Sequence, residues 1–184
     1  MKTRFVSLLL AIAPVVAKAL DLTPVAGFRD LEGFKIPIVF FSDAESRIAF
    51  QPPAKWRISG SGSALGLYPA ELADAVLQLR VFPIKPLGPG VTEDLEKWCH
   101  ALLPQDATEP RLESENENVF TLGPLPSREF TYSYAARGRR FTTSIAVVDW
   151  SERERLAVIV TARAADFPAT HESAMRSMFS WSPQ

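Results

Sequence analysis

The chain has 184 residues, 47% of them hydrophobic and 22% charged, with 20 basic against 21 acidic side chains and a formal net charge of −1. This near-neutral balance excludes the broad basic surface that general nucleic-acid binding needs, and equally excludes electrostatic docking on anionic lipid. One cysteine, Cys99, excludes an intrachain disulfide, so stability has to come from an apolar core.

The first segment reads as a leader. Lys2 and Arg4 precede an apolar run from Phe5 to Val16, and Ala17-Lys18-Ala19 supplies small residues at the two positions a signal peptidase reads. The run is shorter than the roughly 20 residues that an α-helix needs to cross a bilayer, and Pro14 sits near its end. Residues 1–19 are therefore expected to be a cleaved signal peptide, with no membrane insertion afterwards and an exported, periplasmic or extracellular location. The leader carries three basic residues and no acidic one, leaving 17 basic against 21 acidic side chains, a net charge of −4. What remains is a size at which one domain buries about 70% of its unfolded surface.

Residues 20–35, with Pro24, Gly27 and Gly33, read as an irregular N-terminal arm. Residues 36–184 read as a single domain. Ile36 to Phe41 suits a strand, confined to an edge or an early position by Pro37. Arg47 to Phe50 follows as a short strand, then a proline corner and an anchoring Trp56. Residues 59–63 alternate Ser and Gly as a loop, and Leu65 to Tyr68 suits a strand. Pro69 to Leu79 has the Ala, Glu and Leu of a helix, whereas alternation over Val76 to Phe82 suits a strand; the strand is preferred. Thr92 can cap a helix whose stripe is Leu95, Trp98, Cys99, Leu102 and Leu103. Residues 105–118 read as a connection or a weak edge strand, and Val119 to Leu122 as a return to the sheet.

The C-terminal third is the most regular part. Phe130, Tyr132 and Tyr134 alternate with Thr131 and Ser133; after an Arg137-Gly138-Arg139 turn, Phe141, Thr143, Ile145 and Val147 keep the same period. Leu156, Val158 and Val160 then lie on one face of a strand and Ala157, Ile159 and Thr161 on the other, apolar enough for cover on both sides. From Pro168 the period lengthens to that of a helix, with His171, Met175, Met178 and Phe179 on one side.

This order of elements, with Phe50-Gln51-Pro52-Pro53 leading to Trp56 and a closing segment from Met175 to Trp181, resembles the PsbP-like sandwich family. That family includes a photosystem extrinsic subunit, a nuclear Ran-binding factor and exported bacterial proteins. The resemblance covers roughly residues 36–181 and implies an α+β fold: a central antiparallel sheet of about six or seven strands flanked by helices on both faces. It implies no site residues, because members act mostly by binding other proteins and function does not travel with fold.

The chemistry-bearing residues point the same way. Cys99 and His100 are helix neighbours about 100° apart, so a nucleophile and base cannot meet there. Two histidines, His100 and His171, with no cysteine or carboxylate at ligand spacing, imply no metal, and no cofactor is implied. Gly60, Gly62 and Gly66 miss the dinucleotide-loop spacing, and Ser61 and Ser63 miss the hydrolase elbow. Arg137, Arg139 and Arg140 cluster at one hairpin turn of an acidic molecule. They are either a solvated tip or a grip for an acidic partner; Trp150, in the next hairpin turn, is either an aromatic hot spot for the same partner or a cap on the sheet. The expectation is a non-catalytic, protein-binding or accessory domain; the competing one is a small-molecule binder or enzyme with a pocket between sheet and helix.

Overall fold

The computed structural model describes residues 19–44, 46–85, 93–119 and 125–184. The expected leader (apart from Ala19), the Thr92 cap and most of the Val119 to Leu122 strand lie outside these residues. In chain order the elements are β1 (Asp21–Leu31), β2 (Phe34–Asp43), β3 (Ser46–Phe50), β4 (Trp56–Ser61), β5 (Ala64–Pro69), β6 (Val76–Pro83), α1 (Leu95–His100), β7 (Thr108–Glu117), β8 (Arg128–Ala136), β9 (Arg139–Asp149), β10 (Glu154–Arg163), α2 (Phe167–Met178) and β11 (Ser182–Pro183).

Seven strands make one antiparallel sheet in the order β4-β5-β6-β10-β9-β8-β7. β10 lies at its centre, and from Leu156 to Val160 it is buried on both faces, as its two-sided apolar pattern requires. The remaining strands form a second sheet, β1-β2-β3-β11. Phe41, Ile48 and Phe50 from that sheet share one apolar cluster with Leu65, Leu77, Val158 and Val160 of the large one, and Ala174, Met175 and Met178 of α2 enter the same cluster. The opposite face carries a smaller cluster, where Phe130, Tyr132, Ile145 and Ile159 meet Cys99, Trp98 and Leu102 around α1.

The α/β/α sandwich is therefore not the fold. Among the described residues strands account for 58% and helices for 12%, and a second sheet does most of the covering that a helix was expected to do. The arm expected to be irregular is responsible, since residues 21–31 are β1. Pro24 falls inside a register shift between Asp21 and Val25, where the ladder is already interrupted. Pro37 pairs with Phe28 beyond the last β2–β3 pair, Val39↔Phe50, so one side of β2 is open where the N–H is missing. Glu32 and Gly33, both with positive φ, make the tight two-residue turn that joins β1 to β2.

Elsewhere the preferred strand over residues 76–82 is β6, and residues 105–118 contain the edge strand β7. Residues 59–61, expected in a loop, finish β4. α1 is capped by Asp94, whose carboxylate accepts from the Lys97 amide at 3.0 Å. Helix α2 buries Met175 and Met178 but not Phe179, which sits just past the last turn and faces solvent. Its place in the core is taken by Trp181, 5.3 Å from the Phe41 ring and 5.9 Å from Phe50.

Candidate functional site

The arginine turn is a two-residue loop, Arg137-Gly138, with φ of 51° and 70°. Its side chains already have partners. Arg137 Nε donates to Asp106 at 2.9 Å, and Arg139 Nη1 donates to Asp74 at 3.0 Å. Arg163 also pairs with Asp74. The hydrogen bond from Arg163, with the charge of Arg139 beside it, holds the Asp74 carboxyl below the ordinary carboxylate range. Arg140 alternates to the other face of β9 from Arg139, so the three guanidinium groups do not converge. Trp150 follows the far end of β9, about 36 Å away at the rise of an extended strand, and packs 6.0 Å from Trp181. The structure thus does not bring the arginines and the tryptophan into one patch.

A cleft of about 220 Å³ lies beside this turn, lined by Tyr68, Asp74, Tyr134, Arg137, Phe141 and Thr161 among others. Two of its lining residues are joined by a hydroxyl relay through the buried Thr143: Tyr134 to Thr143 at 3.1 Å, and on to Thr161 at 2.8 Å. Ligand pockets run to about 300–1,000 Å³. This one is smaller, and its ionic groups are engaged with one another.

Two buried polar arrangements escaped sequence reasoning. Glu129 on β8 is buried; Ser144 Oγ donates to its Oε1 at 2.6 Å, and His171 Nε2 of α2 lies 2.7 Å from the same oxygen. Serine, histidine and glutamate meet here, but in the wrong order for nucleophilic catalysis. The carboxylate stands between the hydroxyl and the imidazole, so the histidine takes no proton from the serine. Burial pushes the Glu129 carboxyl up, yet the bonds from His171 and Ser144 outweigh it and leave the group below its ordinary value. A carboxylate held low stabilises the fold above its unfolded pKa and stops doing so as pH falls through the folded value. His171→Ala is accordingly expected to lose about 1.5–3 kcal/mol at pH 7, the worth of a hydrogen bond to a charged group. The gap from wild type should close as pH falls below the ordinary value of 4.5. Urea titrations at pH 7, 5 and 3 check this, and a gap that stays constant would mean the pair is neutral.

The second arrangement is Arg155, buried on β10, which donates from Nε to Asp149 and from Nη1 to Glu93, both at 2.6 Å, with its guanidinium 5.1 Å from the centre of the Trp98 ring. Burial works against its charge, and the two carboxylates more than restore it. Cys99 is the buried residue of α1, and burial pushes its thiol up to about 12. It is no nucleophile at neutral pH. Among the described residues no group of three or more His, Cys, Asp or Glu side chains is placed to hold a metal.

The surface that stands out is the β1–β2 ribbon. Beyond Val39 it extends past β3 as two strands alone, and Phe28, Leu31 and Phe34 on it are 65%, 56% and 74% exposed. Comparison with models of known families finds no match for the chain, and comparison with curated proteins finds none either. Function has to be argued from this geometry. Single exposed apolar side chains are ordinary, but here Leu31 and Phe34 are cross-strand partners on one face of the hairpin end and Phe28 is exposed on the other, a concentration of the kind that marks contact sites. Among the described residues β1 is also the outermost strand of its sheet, leaving the outward-facing backbone groups from Val25 to Leu31 without a strand on that side. Only the periodicity of Val25, Gly27 and Leu31 could have revealed it, and Gly27 and Pro24 obscure that signal.

Proposed function

We propose that this is a protein-binding domain that captures an extended polypeptide segment along the β1–β2 ribbon, by strand addition to the open edge of β1. The observation that carries the reading is the coincidence of an unpaired strand edge with exposed Phe28, Leu31 and Phe34. The edge would supply main-chain hydrogen bonds, and alternate apolar side chains of the incoming segment would supply selectivity. The preferred segment is therefore apolar at every second position. Arg29, Asp30, Glu32 and Lys35 rim the patch with both signs of charge, which disfavours burial of this hairpin in lipid and suits a polypeptide. The small cleft beside Arg137 gives a small-molecule reading less support, because its ionic groups are already paired.

Selection from a displayed random-peptide library tests this. Peptides with alternating apolar residues should be enriched, and binding should fall at least tenfold in Phe28→Ser/Phe34→Ser while Arg139→Ala and Trp150→Ala bind as wild type does. Amide exchange of residues 25–31 should slow with peptide bound. Enrichment of no such peptide, or a Phe34-dependent dimer seen by sedimentation, would overturn the reading.

A further inference from the structure

We propose that the peptide bond between Ala19 and Leu20 is a processing site, and that the ammonium group exposed on Leu20 seats on the Glu154 carboxylate as a built terminus. The main-chain nitrogen of Leu20 already lies 3.1 Å from Glu154 Oε2, a contact between residues 134 positions apart. The Leu20 side chain is buried while Ala19 is exposed, so the boundary between solvent and core falls at this bond. Leu22 is buried too, and its amide donates to the Gly62 carbonyl at 2.7 Å, which fixes the direction of the chain entering β1. Around the Leu20 nitrogen an open recess is lined by Ala19, Asp21, Gly62, Pro83 and Glu154. The Asp21 carboxylate there is occupied by the Thr23 amide at 2.8 Å, leaving Glu154 to face the terminus.

A main-chain amide needs only a neutral acceptor, which any carbonyl would provide. A carboxylate makes even the amide bond charge-assisted, and an ammonium donor adds full ion-pair attraction to it, so a carboxylate is better matched to a cation than a carbonyl would be. Residues 17–19 independently present alanine at the first and third positions before the bond, as a signal peptidase requires. The reaction is hydrolysis. Water adds across the bond, the C–N bond breaks, the hydroxyl goes to the Ala19 carbonyl, and the nitrogen takes the proton; at neutral pH the two new ends are a carboxylate and an ammonium. Because Leu20 is buried once folded, cleavage precedes closure of the core.

Intact-mass measurement and N-terminal sequencing of the full chain expressed in a bacterial host test the site. The expected product begins at Leu20. A chain that keeps Met1 or begins at Lys18 would overturn the proposal. The seat is tested separately by melting chains that begin at Leu20 or at Ala19, each with and without Glu154→Gln. The substitution should lower Tm by about 2–4 °C in the chain beginning at Leu20, as expected for losing about one pairing of this kind in a domain of this size. It should do so by less than half as much when the ammonium is moved out to Ala19. Equal shifts in both would show that Glu154 serves the amide alone.

Discussion

Replacing Trp181 with alanine is expected to destabilise the protein by about 3–5 kcal/mol, the range for truncating a large buried aromatic side chain. Trp181 is buried beyond the end of α2, within 6.0 Å, centre to centre, of three rings: Phe41, Phe50 and Trp150. These rings belong to the second sheet and to the end of β9, so the indole is where the two sheets and α2 are joined. Alanine would leave a cavity with aromatic walls on three sides that cannot collapse without moving β2 and β3. Trp181→Phe should lose much less. The indole Nε1 is buried without an acceptor among the described residues, and removing a donor of that sort relieves about 1–3 kcal/mol of desolvation. Guanidinium unfolding followed by circular dichroism, rather than by tryptophan emission, measures both. Equal losses for alanine and phenylalanine would show that the ring packing is not what the residue contributes.

The second large effect is expected at Arg155. Arg155→Leu should lose about 2–3 kcal/mol, less than the 3–5 typical for breaking a fully buried pair, because Asp149 and Glu93 are partly exposed and can rehydrate. The guanidinium links three parts of the molecule that touch little otherwise: the segment leading into α1 through Glu93, α1 itself through Trp98, and the β9–β10 turn through Asp149. Adding Glu93→Gln and Asp149→Asn to Arg155→Leu should recover part of the loss, since the unpaired carboxylates are then gone. A loss under about 0.5 kcal/mol for the single substitution would place the cluster with ordinary surface pairs.

The strands from residue 128 onwards were legible because each has one dominant period and a turn of clear chemistry. Arg137-Gly138 closes one pair, and β10 is apolar on both faces. The N-terminal sheet was not legible. Its two prolines occupy places where the ladder is broken or one-sided, and its turn is Glu32-Gly33 rather than the commoner Asn-Gly or Asp-Gly. With that stretch read as an arm, only the closing helix, read from its own periodicity, is left to cover one face of the large sheet, where the structure places β1–β2–β3–β11 beside it. The arginines were legible as a cluster, but Asp74 and Asp106 are 65 and 31 positions from their partners, and no local pattern announces such pairing. Glu129 and His171 likewise meet only because α2 folds back over β10 and β9, within reach of the neighbouring β8.

The last residues complete what the first ones begin. β11 pairs with β3, and Ser182 accepts a hydrogen bond from Arg29, 153 positions earlier. A chain without Trp181 and the residues of β11 therefore has a small sheet lacking one strand and an aromatic nest lacking its centre, so closure of this part waits for those residues. Such long loops make folding slow relative to local structure, so the two sheets and α2 are expected to lock together late, in one step that needs both ends of this span.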